Sequence, residues 1–99
     1  MISDMQNYFY LNIEKMVELS RDMDGSEIKM LLGICYRLNT SNSRLFVNNA
    51  LNREALAKLG LAMAPSRFCA VLGSMVKKGI LKREANGVYS LLDDLCIIP

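Results

Sequence analysis

Ninety-nine residues suffice for one domain with a modest core, and an apolar content of 52% excludes a disordered chain. No run of about 18 uncharged apolar residues occurs, so no membrane span is expected. The net charge of +2 conceals an asymmetry. Residues 1–38 balance at −2, residues 39–84 set eight basic side chains against Glu54 and Glu84 for +6, and residues 85–99 return to −2. A basic segment between acidic ones makes a localised positive field, the first functional signal in the chain.

The opening Met1-Ile2-Ser3-Asp4 lacks the basic flank and apolar stretch of a secretory signal, so a cytoplasmic location is the expectation. Cys35, Cys69 and Cys96 are odd in number and widely spaced, unlike a secreted disulfide framework. With no histidine and no CxxC pair, zinc would need all three thiolates and a carboxylate. No metal or cofactor is therefore expected, and the cysteines read as small buried hydrophobes. The seven methionines point to an adaptable core.

Tyr8-Phe9-Tyr10-Leu11 reads as a short strand or arm. Asn12 then caps an amphipathic helix whose inward face is Ile13, Met16 and Val17. Asp24 with Glu27 three residues on forms a capping box. Beyond it, Ile28, Leu31, Leu32, Cys35 and Leu38 make one apolar stripe, while Met30 and Ile34 add a second. A helix apolar round most of its circumference belongs at the centre of a fold. Asn39 to Ser43 reads as a polar turn and Leu45-Phe46-Val47 as a short strand.

A two-turn helix follows over Leu51–Gly60, with Asn52 as its cap, Leu51 stapled onto Leu56, and Gly60 as the left-handed residue past its end. Pro65 sits where a first helical residue often sits, and Phe68, Val71, Leu72, Met75 and Val76 form the inward face of the next helix, which Gly79 ends. Residues 80–84 and 88–92 are β-prone runs around Ala85-Asn86-Gly87, and Asn-Gly in that position is a strong hairpin cue.

The order is central helix, short strand, short helix, turn, second helix, hairpin. That is the order of a winged helix-turn-helix, an α+β fold that is mainly helical with a short strand and a C-terminal β-hairpin wing. The expected layout is an N-terminal arm and short helix over 1–23, a three-helix core over 24–79, the wing over 80–92 and a tail over 93–99.

Leu56-Ala57-Lys58-Leu59-Gly60-Leu61, then Phe68, Leu72 and Met75-Val76-Lys77-Lys78-Gly79-Ile80-Leu81, continuing through Lys82-Arg83 and Gly87-Val88-Tyr89, resemble the bacterial winged-helix pattern of transcription regulators. Together with the aromatic entry and Ser26-Glu27-Ile28-Lys29-Met30-Leu31-Leu32, the chain resembles plasmid replication initiators of the RepL type over roughly residues 8–95. It departs from the usual helix-turn-helix in one place. The turn Leu61 to Ala64 is about two residues longer and has no polar cap before Pro65.

The resemblance implies a non-catalytic domain that binds double-stranded DNA in plasmid replication initiation. A transcription regulator (MarR-like or similar) and a winged helix reused for protein–protein contact stand as alternatives. It makes residues 65–78 the recognition helix, with Ser66, Arg67 and Ala70 at the groove and Gly73, Ser74 and Lys77 further along. Arg67 is the candidate for a base-edge contact, since a guanidinium can bond both acceptors of a guanine. Arg53, Lys58, Lys77, Lys78, Lys82 and Arg83 are phosphate candidates, with Asn86 and Gly87 at the wing tip.

Each also has a structural reading. Arg67 can be a solvated first-turn residue, Lys77 and Lys78 can serve the helix C-terminus, and Lys82 and Arg83 can guard an edge strand. Phe68 and Tyr89 read as core, and Asp93-Asp94 as solubilising charge. The apolar ends, Tyr8-Phe9-Tyr10 and Leu95-Cys96-Ile97-Ile98-Pro99, either pack on the central helix or build a two-fold homodimer.

Overall fold

Asn12 opens the first helix by accepting a hydrogen bond from the Lys15 amide at 3.0 Å. This is a computed structural model, and it describes residues 10–93 and 95–97. Tyr8, Phe9, Asp94, Ile98 and Pro99 lie outside the described residues. The chain forms an α+β domain, in the order β1 (Tyr10–Leu11), α1 (Ile13–Ser20), α2 (Gly25–Ser41), β2 (Phe46–Val47), α3 (Ala50–Ala57), α4 (Pro65–Lys77), β3 (Leu81–Ala85), β4 (Val88–Leu91) and β5 (Cys96–Ile97). Among the described residues no helix is long and apolar enough to cross a membrane.

The helix ends follow local chemistry. Asp24 and Glu27 complete the expected capping box, each side chain accepting from the other's backbone amide. The last turns of α2, α3 and α4 close in one way. The amides of Ser43, Leu61 and Ile80 reach back five residues to the carbonyls of Leu38, Leu56 and Met75. Asn42, Gly60 and Gly79 supply the left-handed residue this closure needs, at φ 52°, 95° and 77°.

Two boundaries differ from the sequence reading. α2 runs on through Asn39-Thr40-Ser41, because the Thr40 and Ser41 hydroxyls donate back to the Arg37 carbonyl and so sit comfortably in the final turn. α3 is capped by Asn49, which accepts from the Asn52 amide at 2.8 Å, and not by Asn52. Asn52 lies inside the helix, donating to the Val47 carbonyl and accepting from Arg37 Nε, so it ties α3 to β2 and α2. Leu51, expected to staple onto Leu56, is 66% exposed. Asn49→Ala is therefore expected to cost about 1 kcal/mol, lowering Tm by roughly 4–8 °C, whereas Leu51→Ala leaves Tm nearly unchanged. Thermal unfolding of the two variants checks this.

β2, β4 and β3 form a three-stranded antiparallel sheet in that order. Phe46 lies opposite Tyr89, Leu81 opposite Leu91 and Lys82 opposite Ser90, with a register shift between Arg83 and Ala85 beside the Asn86-Gly87 turn. The core gathers Met30, Leu31, Ile34, Cys35 and Leu38 of α2, Leu56 of α3, Phe68, Leu72 and Met75 of α4, and Phe46, Leu81, Tyr89 and Leu91 of the sheet. The rings of Phe46 and Phe68 stack with centroids 6.2 Å apart. Gly33 lets α2 approach the turn after α3, since a Cβ there would fall 2.6 Å from Leu61 Cδ1.

The ends of the described chain pair with one another as a second antiparallel sheet, Tyr10 opposite Ile97 and Leu11 opposite Cys96. Leu11 packs against the core and Leu95 is fully buried, so these parts of the apolar ends turn inward. α1 packs through Met16 and Leu19. Ile13 and Val17, expected to face inward with Met16, are instead 65% and 59% exposed. Of the cysteines expected to be buried, Cys35 is, but Cys69 is exposed on α4. Leu32 of the α2 stripe is also exposed.

Candidate nucleic-acid interface

At 100° per residue, the buried positions of α4, Phe68, Val71, Leu72 and Met75, fix one side of the helix. The opposite side centres on Ser66, Ala70, Gly73 and Lys77, all exposed, with Arg67 at one edge and Cys69 at the other. Before Pro65, Ala64 holds the cap position without a side-chain hydrogen bond. The first turn of α4 therefore keeps its amides free of side-chain capping. A Cβ at Gly73 would meet nothing within 4 Å, so this face is open as well as small.

Further along the helix, the edge row that Arg67 begins is committed to the fold at Ser74 and Lys78. Glu27, at the start of α2, is buried, and its carboxylate accepts from Ser74 Oγ at 2.8 Å, Lys78 Nζ at 2.7 Å and the Asp24 amide at 3.0 Å. Lys78 also donates to the Asp22 carbonyl at 2.7 Å. Burial pushes the Glu27 carboxyl up, but the hydrogen bonds from Lys78, Asp24 and Ser74 outweigh it and hold the group below the ordinary carboxylate value. The same hydrogen bond raises the Lys78 ammonium above its ordinary value. Ser74 and Lys78, both expected at a DNA surface, are thus placed in a structural cluster that clamps α4 to α2.

Strand alternation separates the next pair. Arg83 lies opposite the buried Tyr89 and shares the core-facing side of the sheet with Leu81, projecting past the core's edge. Its Nη2 donates to Asn86 Oδ1 at 3.0 Å, which ties the expected wing-tip asparagine to the strand. Lys82 points from the other side, where it pairs with Asp93 at 3.2 Å in a hollow also lined by Arg44 and Glu84. Asp93, expected to serve only solubility, has this defined partner.

Arg53 donates one Nη1 hydrogen bond to Asn48 at 2.9 Å, and the rest of its guanidinium is unengaged among the described residues. Lys58, at the C-terminus of α3, is exposed. The side chains of Arg67, Lys77 and Lys58 make no hydrogen bond or ion pair among the described residues. The arrangement is a smooth helical face whose cations stand at its margin and end. It suits close approach to a grooved polyanion more than side-chain hydrogen bonding at its centre. Sequence reasoning missed the cluster around Glu27, although the capping box marked Glu27 itself. No family model matches the chain, and no curated protein or solved structure matches it.

Proposed function

We propose that this chain is a winged helix-turn-helix that binds double-stranded DNA, with α3 and α4 as the helix-turn-helix pair and the β3–β4 hairpin as the wing. The observation that carries the reading is the exposed, small-residue side of α4, bounded by the unengaged cations Arg67 and Lys77 and followed directly by the hairpin bearing Arg83. Such a face can enter a major groove without clash while cations at its edges meet phosphates. The +6 balance of residues 39–84 supports the same polyanionic partner.

The contact is dominated by backbone and shape. Ser66, Ala70 and Gly73 are too short to span to several base edges, and Arg67 stands at the margin. The resemblance to RepL-type initiators makes a site inside a plasmid's own origin the expected target. Fluorescence anisotropy on a mixed-sequence duplex at increasing salt tests the reading. Log affinity is expected to fall linearly and steeply with log salt, and no binding at low salt would overturn it.

A further inference from the structure

We propose that α1 of one copy of this chain docks in the groove between α2 and α3 of a second copy. The groove is made of two adjoining hollows that share Tyr36 and Leu59: Leu32, Leu61 and Lys29 line one, and Leu56, Arg37 and Lys58 line the other. Among the described residues no carboxylate lines it. Leu59 and Leu32 are exposed large hydrophobics, 48% and 39% accessible, in a protein whose other α2 and α3 leucines are mostly buried.

The complementary surface is on the same chain. Met16 and Leu19 anchor α1 to the core, which leaves Ile13 and Val17 one turn apart on the outside. Glu14 and Glu18 are exposed beside them. An amphipathic helix seats in a groove through apolar residues spaced i and i+4. Here that pair would meet Leu32, Tyr36 and Leu59, while the two glutamates would face Lys29 and Lys58. None of these four charged side chains has an ion-pair partner among the described residues.

A copy's own α1 cannot serve, because its packing side and the Asn12 amide bond to the Leu95 carbonyl hold it elsewhere. Leu11 and Leu95 are packed inward, so those parts of the chain ends are not the apolar contact offered to a second copy. A contact of this size belongs to the small, weak class, and its rim charges make it weaken with salt.

Sedimentation velocity from about 10 to several hundred micromolar, the range such a small interface requires, is the test. The full chain is expected to associate reversibly, more strongly at low salt. Val17→Lys on α1 and Leu59→Glu in the groove each alter an exposed side chain and should weaken association by about tenfold or more. Mixing the two variants should restore a 1:1 complex, since one brings an intact groove and the other an intact α1. Thermal unfolding verifies that each variant is folded, and Ile13→Lys with Leu32→Glu replace any that is not. A wild-type chain that stays monomeric throughout overturns the proposal. So do variants that associate like wild type, or a mixture that fails to pair.

Discussion

Glu27→Ala is expected to destabilise the domain by roughly 2–4 kcal/mol, because it removes half a capping box and two further part-buried hydrogen bonds, from Ser74 and Lys78, at once. The Asp24 amide and Ser74 Oγ lose their acceptor, and Lys78 keeps only the Asp22 carbonyl. A domain of this size is stable by roughly 5–15 kcal/mol, so the loss is a large fraction of the total. It corresponds to a fall in Tm on the order of 10–20 °C. Glu27→Gln retains an oxygen for the Asp24 amide but not the charge facing Lys78, and should lose distinctly less. Equal losses would mean that the cap contributes nothing.

The pH dependence follows from the same cluster. A carboxyl whose folded value is depressed contributes stability above its unfolded value, and loses it as pH falls through the folded value. The wild-type Tm should therefore drop below the ordinary carboxylate range more steeply than that of Glu27→Gln, which has no such group to protonate. For Lys78 the sign is reversed. A raised amine contributes fully below its unfolded value and loses its contribution as pH rises through the folded one. The clamp is intact across neutral pH and fails at both extremes, and differential scanning of wild type against Glu27→Gln across pH reads both limbs.

Much of the fold is local in origin and hence legible in the sequence. The capping box at Asp24, Pro65 at the start of α4, the left-handed glycines at 60 and 79 and the Asn86-Gly87 turn each depend on a few consecutive residues. What was not legible depends on choices made elsewhere in the chain. Periodicity puts Ile13, Met16 and Val17 on one side of α1, and the core takes Met16 with Leu19 while Ile13 and Val17 stay outside. Asn49 and Asn52 are equally good caps, and Asn52 is drawn inside α3 by Val47 and Arg37. The Glu27 cluster joins residues separated by 47 and 51 positions, beyond the reach of any local pattern. For the same reason the lysines at 77 and 78 looked equivalent.

That difference gives the second large effect, on the proposed DNA contact. Arg53, Arg67, Lys77 and Arg83 have cationic heads wholly or mostly unengaged among the described residues, and Lys58 joins them where no second copy occupies it, which makes about four to five phosphate contacts and a log–log salt slope of about −3.5 to −4.5. Replacing Arg67, Lys77 and Arg83 together by alanine should flatten the slope by nearly three and cut affinity at moderate salt by roughly two orders of magnitude or more. Lys77→Ala alone should flatten it by about one. Lys78→Ala should leave the slope unchanged while lowering Tm, since its ammonium is held by Glu27 and Asp22. Lys82→Ala, on the far side of the sheet beside Asp93, should change neither the slope nor the affinity appreciably.

Arg67→Ala decides between two kinds of recognition. A bidentate guanine contact would make its loss specific to one base pair, worth about 1–3 kcal/mol of discrimination. Its place at the margin of the α4 face, beside a centre of Ser66, Ala70 and Gly73, instead predicts a loss uniform across duplex sequences. A helix without long hydrogen-bonding side chains at its centre can select a site only through groove width and the ease of bending. Substitutions in the DNA that alter flexibility should therefore shift affinity more than those that alter only base-edge donors and acceptors.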